Sequence, residues 1–137
     1  MVTVYHGTSE ENLPSILRRG LVPNRRKNHP ESGRAVYVER SARTARAWAR
    51  QAGSRSRRYV VIELEVPETL LEPDPRALSK TSLKAQQIPA RYIRGWDTYE
   101  MNLAGDLDYC GSERCQNGTD ERRKPIGPPK TDCSAVL

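Results

Sequence analysis

The chain has 137 residues, with 23 Lys and Arg against 17 Asp and Glu (net charge +6), two His, three Cys and no Phe. That length suits one domain, and Leu, Ile, Val, Trp and Tyr are left to fill a small core. No apolar run approaches a membrane span and the N-terminus lacks the charged-then-apolar plan of a signal peptide, so a cytoplasmic protein without membrane contact is expected, and a monomer.

Val2-Thr3-Val4-Tyr5 alternates and predicts a first strand. It runs into His6-Gly7-Thr8-Ser9, where a ring that both donates and accepts hydrogen bonds meets a glycine and two hydroxyls. A glycine lacks Cβ, so a ligand could approach the backbone at Gly7. Ser9 or Asn12 is expected to cap a helix reaching about Arg19, with Pro14 in its first turn, an apolar stripe of Leu13, Ile16 and Leu17, and Gly20 ending it. Residues 22–34 read as a polar loop containing His29.

Ala35-Val36-Tyr37-Val38 predicts a second strand. Ser41 caps a second helix, in which Ala42, Ala45, Trp48, Ala49 and Ala52 recur at three- and four-residue spacing, and Gly53 closes it. Tyr59 to Val66 is the clearest strand, with Val60, Ile62, Leu64 and Val66 on one side and Val61, Glu63 and Glu65 on the other. Leu70 to Pro75 is turn-rich and carries Glu72 and Asp74. A weak strand near Ser82–Gln86 and a last one through Trp96 and Tyr99 complete an α+β pattern. Beyond Met101 apolar residues thin out, so residues 1–100 are expected to be the domain and 101–137 a polar, flexible tail.

The basic charge belongs to the expected domain: residues 1–100 carry 18 Lys and Arg against 11 Asp and Glu, and the remainder 5 against 6. Its densest runs, Arg25-Arg26-Lys27 and Arg55, Arg57, Arg58, suit solvated surface or an anionic partner such as nucleic acid. No aromatic residues interleave with them to stack bases. Cys110, Cys115 and Cys133 read as surface thiols. Without a second pair or a nearby His, Cys110 and Cys115 suggest no metal site. No glycine-rich nucleotide loop is present.

Several blocks in sequence resemble the ADP-ribosyltransferases. Tyr5-His6-Gly7-Thr8 with Ser15 to Leu21 is similar to their first block, and Gly33 to Val38 with the helix from Ser41 to their second. The order His6-Gly7-Thr8, Val36-Tyr37, Ala45 to Ala49, Glu65-Val66-Pro67, Glu72-Pro73-Asp74-Pro75 and Ser82 to Ile93 most resembles the small rifamycin ADP-ribosyltransferases of His-Tyr-Asp type. The likeness spans about residues 2–97. It implies a split β-sheet sandwich with short flanking helices, and NAD as the substrate from which ADP-ribose is transferred. It also implies His6, Tyr37 and Asp74 as catalytic residues, with His6, Gly7, Thr8, Ser9, Tyr37 and Trp48 binding NAD. Around Thr81–Gln87 there is no Glu, so Asp74 is the match for the third residue and Glu72 or Gln87 the substitutes. The acceptor is left open between a small molecule, a nucleic acid and a protein, as is a role in toxicity or antibiotic resistance. Two alternatives stand beside this: a non-catalytic basic domain that binds nucleic acid on the same fold, and an RNA 2′-phosphotransferase, for which only His29 would be available.

Overall fold

The computed structural model describes residues 1–23, 35–73, 82–115 and 125–126. Its longest apolar alternation becomes the central strand β3 (Arg58–Val66), where Val60, Ile62, Leu64 and Val66 are all 0% exposed. Each such side chain contributes about 1.5–3 kcal/mol by leaving water. Strand β1 (Val2–Ser9) lies antiparallel to β3 along its full length, from Val2 opposite Val66 to Ser9 opposite Tyr59. The other strands are β2 (Val36–Glu39), β4 (Glu72–Pro73), β5 (Ser82–Ala85), β6 (Ile93–Met101), β7 (Leu107–Cys115) and β8 (Pro125–Ile126). Their order across the sheet is β4-β5-β2-β1-β3-β6-β7-β8, and every pairing is antiparallel. Two short helices, α1 (Leu13–Arg19) and α2 (Ala42–Ala52), make the fold α+β.

Opposed residues of an antiparallel pair share a face. Val4 with Leu64, His6 with Ile62 and Thr8 with Val60 therefore point to the side of the apolar core. That core also takes Leu13 and Ile16 from α1, Val36 and Val38 from β2, Leu83 and Ala85 from β5, and Ile93 and Trp96 from β6. Gly7 and Val61 point to the opposite side, where α2 packs through Ala45 and Ala49, both 0% exposed. Gly20, at φ +78°, turns the chain out of α1 and donates its N–H to the Ile16 carbonyl at 2.8 Å. An added Cβ there would lie 2.2 Å from the Ile88 carbonyl oxygen, so this turn is closed to larger residues.

The sheet is a single hydrogen-bonded unit, not two separate sheets, yet it is nearly divided. β1 and β2 are joined by one residue pair only, Tyr5 opposite Glu39. Beyond that pair the described residues of β1 and β2 form no further ladder pairs, which leaves a gap between the two strands.

Four sequence expectations change. The sheet does not stop near residue 100: β7 pairs with β6 from Gly95 opposite Arg114 to Met101 opposite Leu107, and buries Glu113 and Cys115. Residues 107–115 thus belong to the folded body, because β6 would otherwise leave an open row of backbone donors and acceptors. Residues 116–124 and 127–137 lie outside the described residues. Cys115 is a buried thiol instead of a surface one. Trp48 is 48% exposed, with its indole N–H donated to Glu39, whereas Ala45 and Ala49 of the same helix are fully buried. Neither Ser9 nor Asn12 caps a helix through its side chain, whereas Ser41 does, accepting from the Thr44 N–H at 3.3 Å. No described helix is long and apolar enough to cross a membrane.

Candidate functional site

The gap between β1 and β2 is the floor of an open cavity of about 890 Å³. One wall is the end of β1 (His6, Gly7, Thr8, Ser9) and the turn after it (Asn12); the other is Ala35, Val36 and Tyr37. This volume lies within the range of small-molecule sites, roughly 300–1,000 Å³.

The two walls are linked by a side chain where a ladder bond would otherwise stand. Nδ1 of His6 lies 2.8 Å from the Tyr37 carbonyl oxygen. A carbonyl only accepts, so Nδ1 is the protonated nitrogen and Nε2 carries the lone pair. Burial lowers the pKa of His6 below its ordinary 6.5, and the bond to the Tyr37 carbonyl pulls it partly back up. The ring is thus neutral at pH 7, with one nitrogen fixed as donor and the other left to accept from a ligand hydroxyl.

Tyr37 lies on β2 between Val36 and Val38, which both face the core, so its ring points to the α2 side. Two residues on, Glu39 shares that face. Its buried carboxylate accepts from the Trp48 indole N–H at 2.8 Å and from the Ser82 hydroxyl at 2.5 Å. Trp48, expected to touch NAD, is therefore tied to Glu39 and is not among the residues that line the cavity. Gly7 lines the cavity, but its missing Cβ answers to a different neighbour. A Cβ at Gly7 would lie 1.9 Å from the Ala45 carbonyl oxygen and 2.9 Å from the Ala49 Cβ. The glycine is needed so that α2 can lie against β1.

Thr8 and Ser9 sit at the cavity rim with both hydroxyls bonded to one amide: Asn12 Nδ2 donates to Thr8 Oγ1 at 2.9 Å and to Ser9 Oγ at 3.2 Å. Each hydroxyl keeps its own proton to donate. The third expected catalytic residue, Asp74, lies outside the described residues, as does His29. Of the substitutes, Glu72 is exposed on β4 and paired with Lys84 Nζ at 3.6 Å, and Gln87 is exposed; neither lines the cavity. No carboxylate is found among the described lining residues.

Sequence reasoning did not single out Asn12 or Arg55 as members of this site. For Asn12 a signal existed, since a position four residues after Thr8 falls back over it in a helical turn. For Arg55 the only hint was its place in a basic run.

No family model matches the chain, and no curated protein does. A solved structure does resemble it. EcPltA superimposes with a TM-score of 0.60 at 15% sequence identity, over 94% of this chain and 89% of that one. At that identity the likeness is one of fold.

Proposed function

We propose that this chain is an NAD-dependent mono-ADP-ribosyltransferase that uses the cavity between β1 and β2. The observation that carries the reading is the seating of His6. A neutral imidazole, its tautomer fixed by the Tyr37 carbonyl, stands where two strands part over a cavity rimmed with hydroxyl and amide groups. Such a ring holds ribose hydroxyls through Nε2, and Thr8, Ser9 and Asn12 supply further donors for a polyhydroxylated ligand.

Transfer breaks the bond between nicotinamide and ribose, builds positive charge on the sugar and joins ADP-ribose to an acceptor. The fixed ring of His6 orients the ribose so that little freedom is left to lose at the transition state. The sequence likeness assigns Tyr37, which lines the opposite wall, to positioning the nicotinamide. The sequence likeness puts the charge-stabilising carboxylate at Asp74, which would favour the developing cation and orient the acceptor hydroxyl.

Incubation with labelled NAD and a panel of small-molecule, nucleic-acid and protein acceptors should release nicotinamide and label one class. Asp74→Asn should keep NAD affinity and lose about a hundred- to a thousandfold in rate. Unchanged turnover in that variant would remove Asp74 from the mechanism.

A second reading is favoured by one observation, the lack of a carboxylate among the described lining residues. On it, the fold is a basic domain that binds nucleic acid without catalysis. Salt-sensitive binding to RNA or DNA that survives Tyr37→Phe and Asp74→Ala, with no cleavage of NAD, would establish it.

A further inference from the structure

The loop joining α2 to β3 is fastened at both ends to other parts of the chain. At its start, Glu11 in the turn after β1 accepts from the Ser54 hydroxyl at 2.6 Å, the Ser56 hydroxyl at 2.5 Å and the Arg55 backbone N–H at 3.3 Å. At its end, Arg57 takes a left-handed φ of +63°, uncommon for a residue with a side chain. It is held there by its N–H on the Ser54 carbonyl at 3.2 Å and by its guanidinium on the Met101 and Asn102 carbonyls at 3.3 and 3.0 Å. Arg58 is anchored to Glu10 at 3.0 Å. Strained backbone of this kind persists only where its surroundings over-determine it.

What the fastened loop presents is Arg55. It is exposed, it is the one basic residue among the described residues lining the cavity, and its guanidinium has no ion-pair partner among them. Other arginines differ: Arg57 is bonded to the Met101 and Asn102 carbonyls, Arg58 pairs with Glu10, and Arg94 and Arg114 pair with Glu65 and Asp97. An arginine that lines the same cavity as Thr8 and Ser9, with no carboxylate among the described lining to compete for it, suits a phosphate group.

We propose that Arg55 is the phosphate-binding residue of the cavity, and that Glu11 is a positioning residue that holds the loop so that Arg55 faces it. The ligand group is a phosphate or pyrophosphate. Its assignment to the pyrophosphate of NAD rests on the transferase reading, whereas the anion site does not.

The test is calorimetric titration of the full chain with ADP-ribose, inorganic pyrophosphate and adenosine. Arg55→Ala should weaken ADP-ribose and pyrophosphate about 10- to 100-fold and flatten the salt dependence of pyrophosphate binding, with adenosine unchanged. Glu11→Gln should weaken the two phosphate ligands several-fold and also leave adenosine unchanged, which a general loss of structure would not do. Pyrophosphate binding that depends on Arg55, without ADP-ribose binding, keeps the anion site and discards the transferase. ADP-ribose binding that is equal in Arg55→Ala discards the role of Arg55 and keeps the transferase. Wild-type protein that binds neither phosphate ligand overturns both. Equal affinities in Glu11→Gln would show that the loop needs no such hold.

Discussion

Gly7→Ala separates the two uses a glycine after His6 could have. If the position served only ligand approach, a methyl group would lower affinity and leave stability alone. The structure gives the opposite expectation. The new Cβ would sit 1.9 Å from the Ala45 carbonyl oxygen and must reach at least the 3.4 Å of ordinary contact, a displacement of about 1.5 Å for helix backbone. The obstacle is main chain, so rotamer changes cannot relieve it. Moving α2 that far would open the packing of Ala45 and Ala49 and strain the Trp48–Glu39 bond. Overpacking typically costs 1–3 kcal/mol, and a backbone obstacle belongs at the upper end, about 3 kcal/mol. For a domain of this size that lowers Tm by about 10 °C. Urea unfolding followed by circular dichroism measures it. A loss below about 0.5 kcal/mol would refute the packing argument and return Gly7 to the ligand.

Truncation after residue 100 should give an insoluble or unfolded product, because it strips β7 from β6; solubility and thermal melts decide. Stability should also fall as pH drops, first through His6 and then through Glu11 as well. His6 has its pKa lowered in the fold, so its contribution is complete above about 6.5 and is lost as pH falls through the lower folded value. Glu11, held at about 2 against an ordinary 4.5 by the Ser54 and Ser56 hydroxyls, loses its contribution only below about 4.5. Melts from pH 7 to pH 3 should show the first fall abolished in His6→Asn and the second reduced in Glu11→Gln; a first fall that survives His6→Asn belongs to another group.

Much of the fold was legible because it is written in apolar spacing. Val60 to Val66 alternates cleanly, and Pro14, Gly20, Ser41 and Gly53 mark where helices begin and end. β7 was not, because it buries little: in Leu107–Cys115 only Glu113 and Cys115 are buried, and one is a carboxylate. The site was half legible. His6 and Tyr37 announce themselves by residue type and by likeness, but their junction depends on β1 and β2 pairing at a single point, which no local pattern encodes. Trp48 falls at helical spacing with Ala45 and Ala49 yet faces Glu39, a distinction made by tertiary packing alone. Glu11 and Arg55 are 44 residues apart, and their meeting was invisible in the chain.

The most direct measurement is the rate of nicotinamide release from NAD by the wild-type chain and by His6→Asn, followed with the acceptor panel present. The transferase account predicts release by the wild type and a loss of about a hundredfold or more in His6→Asn. Both proteins should be folded at the assay pH. No release by the wild type with any acceptor, or equal release by the two proteins, would contradict it.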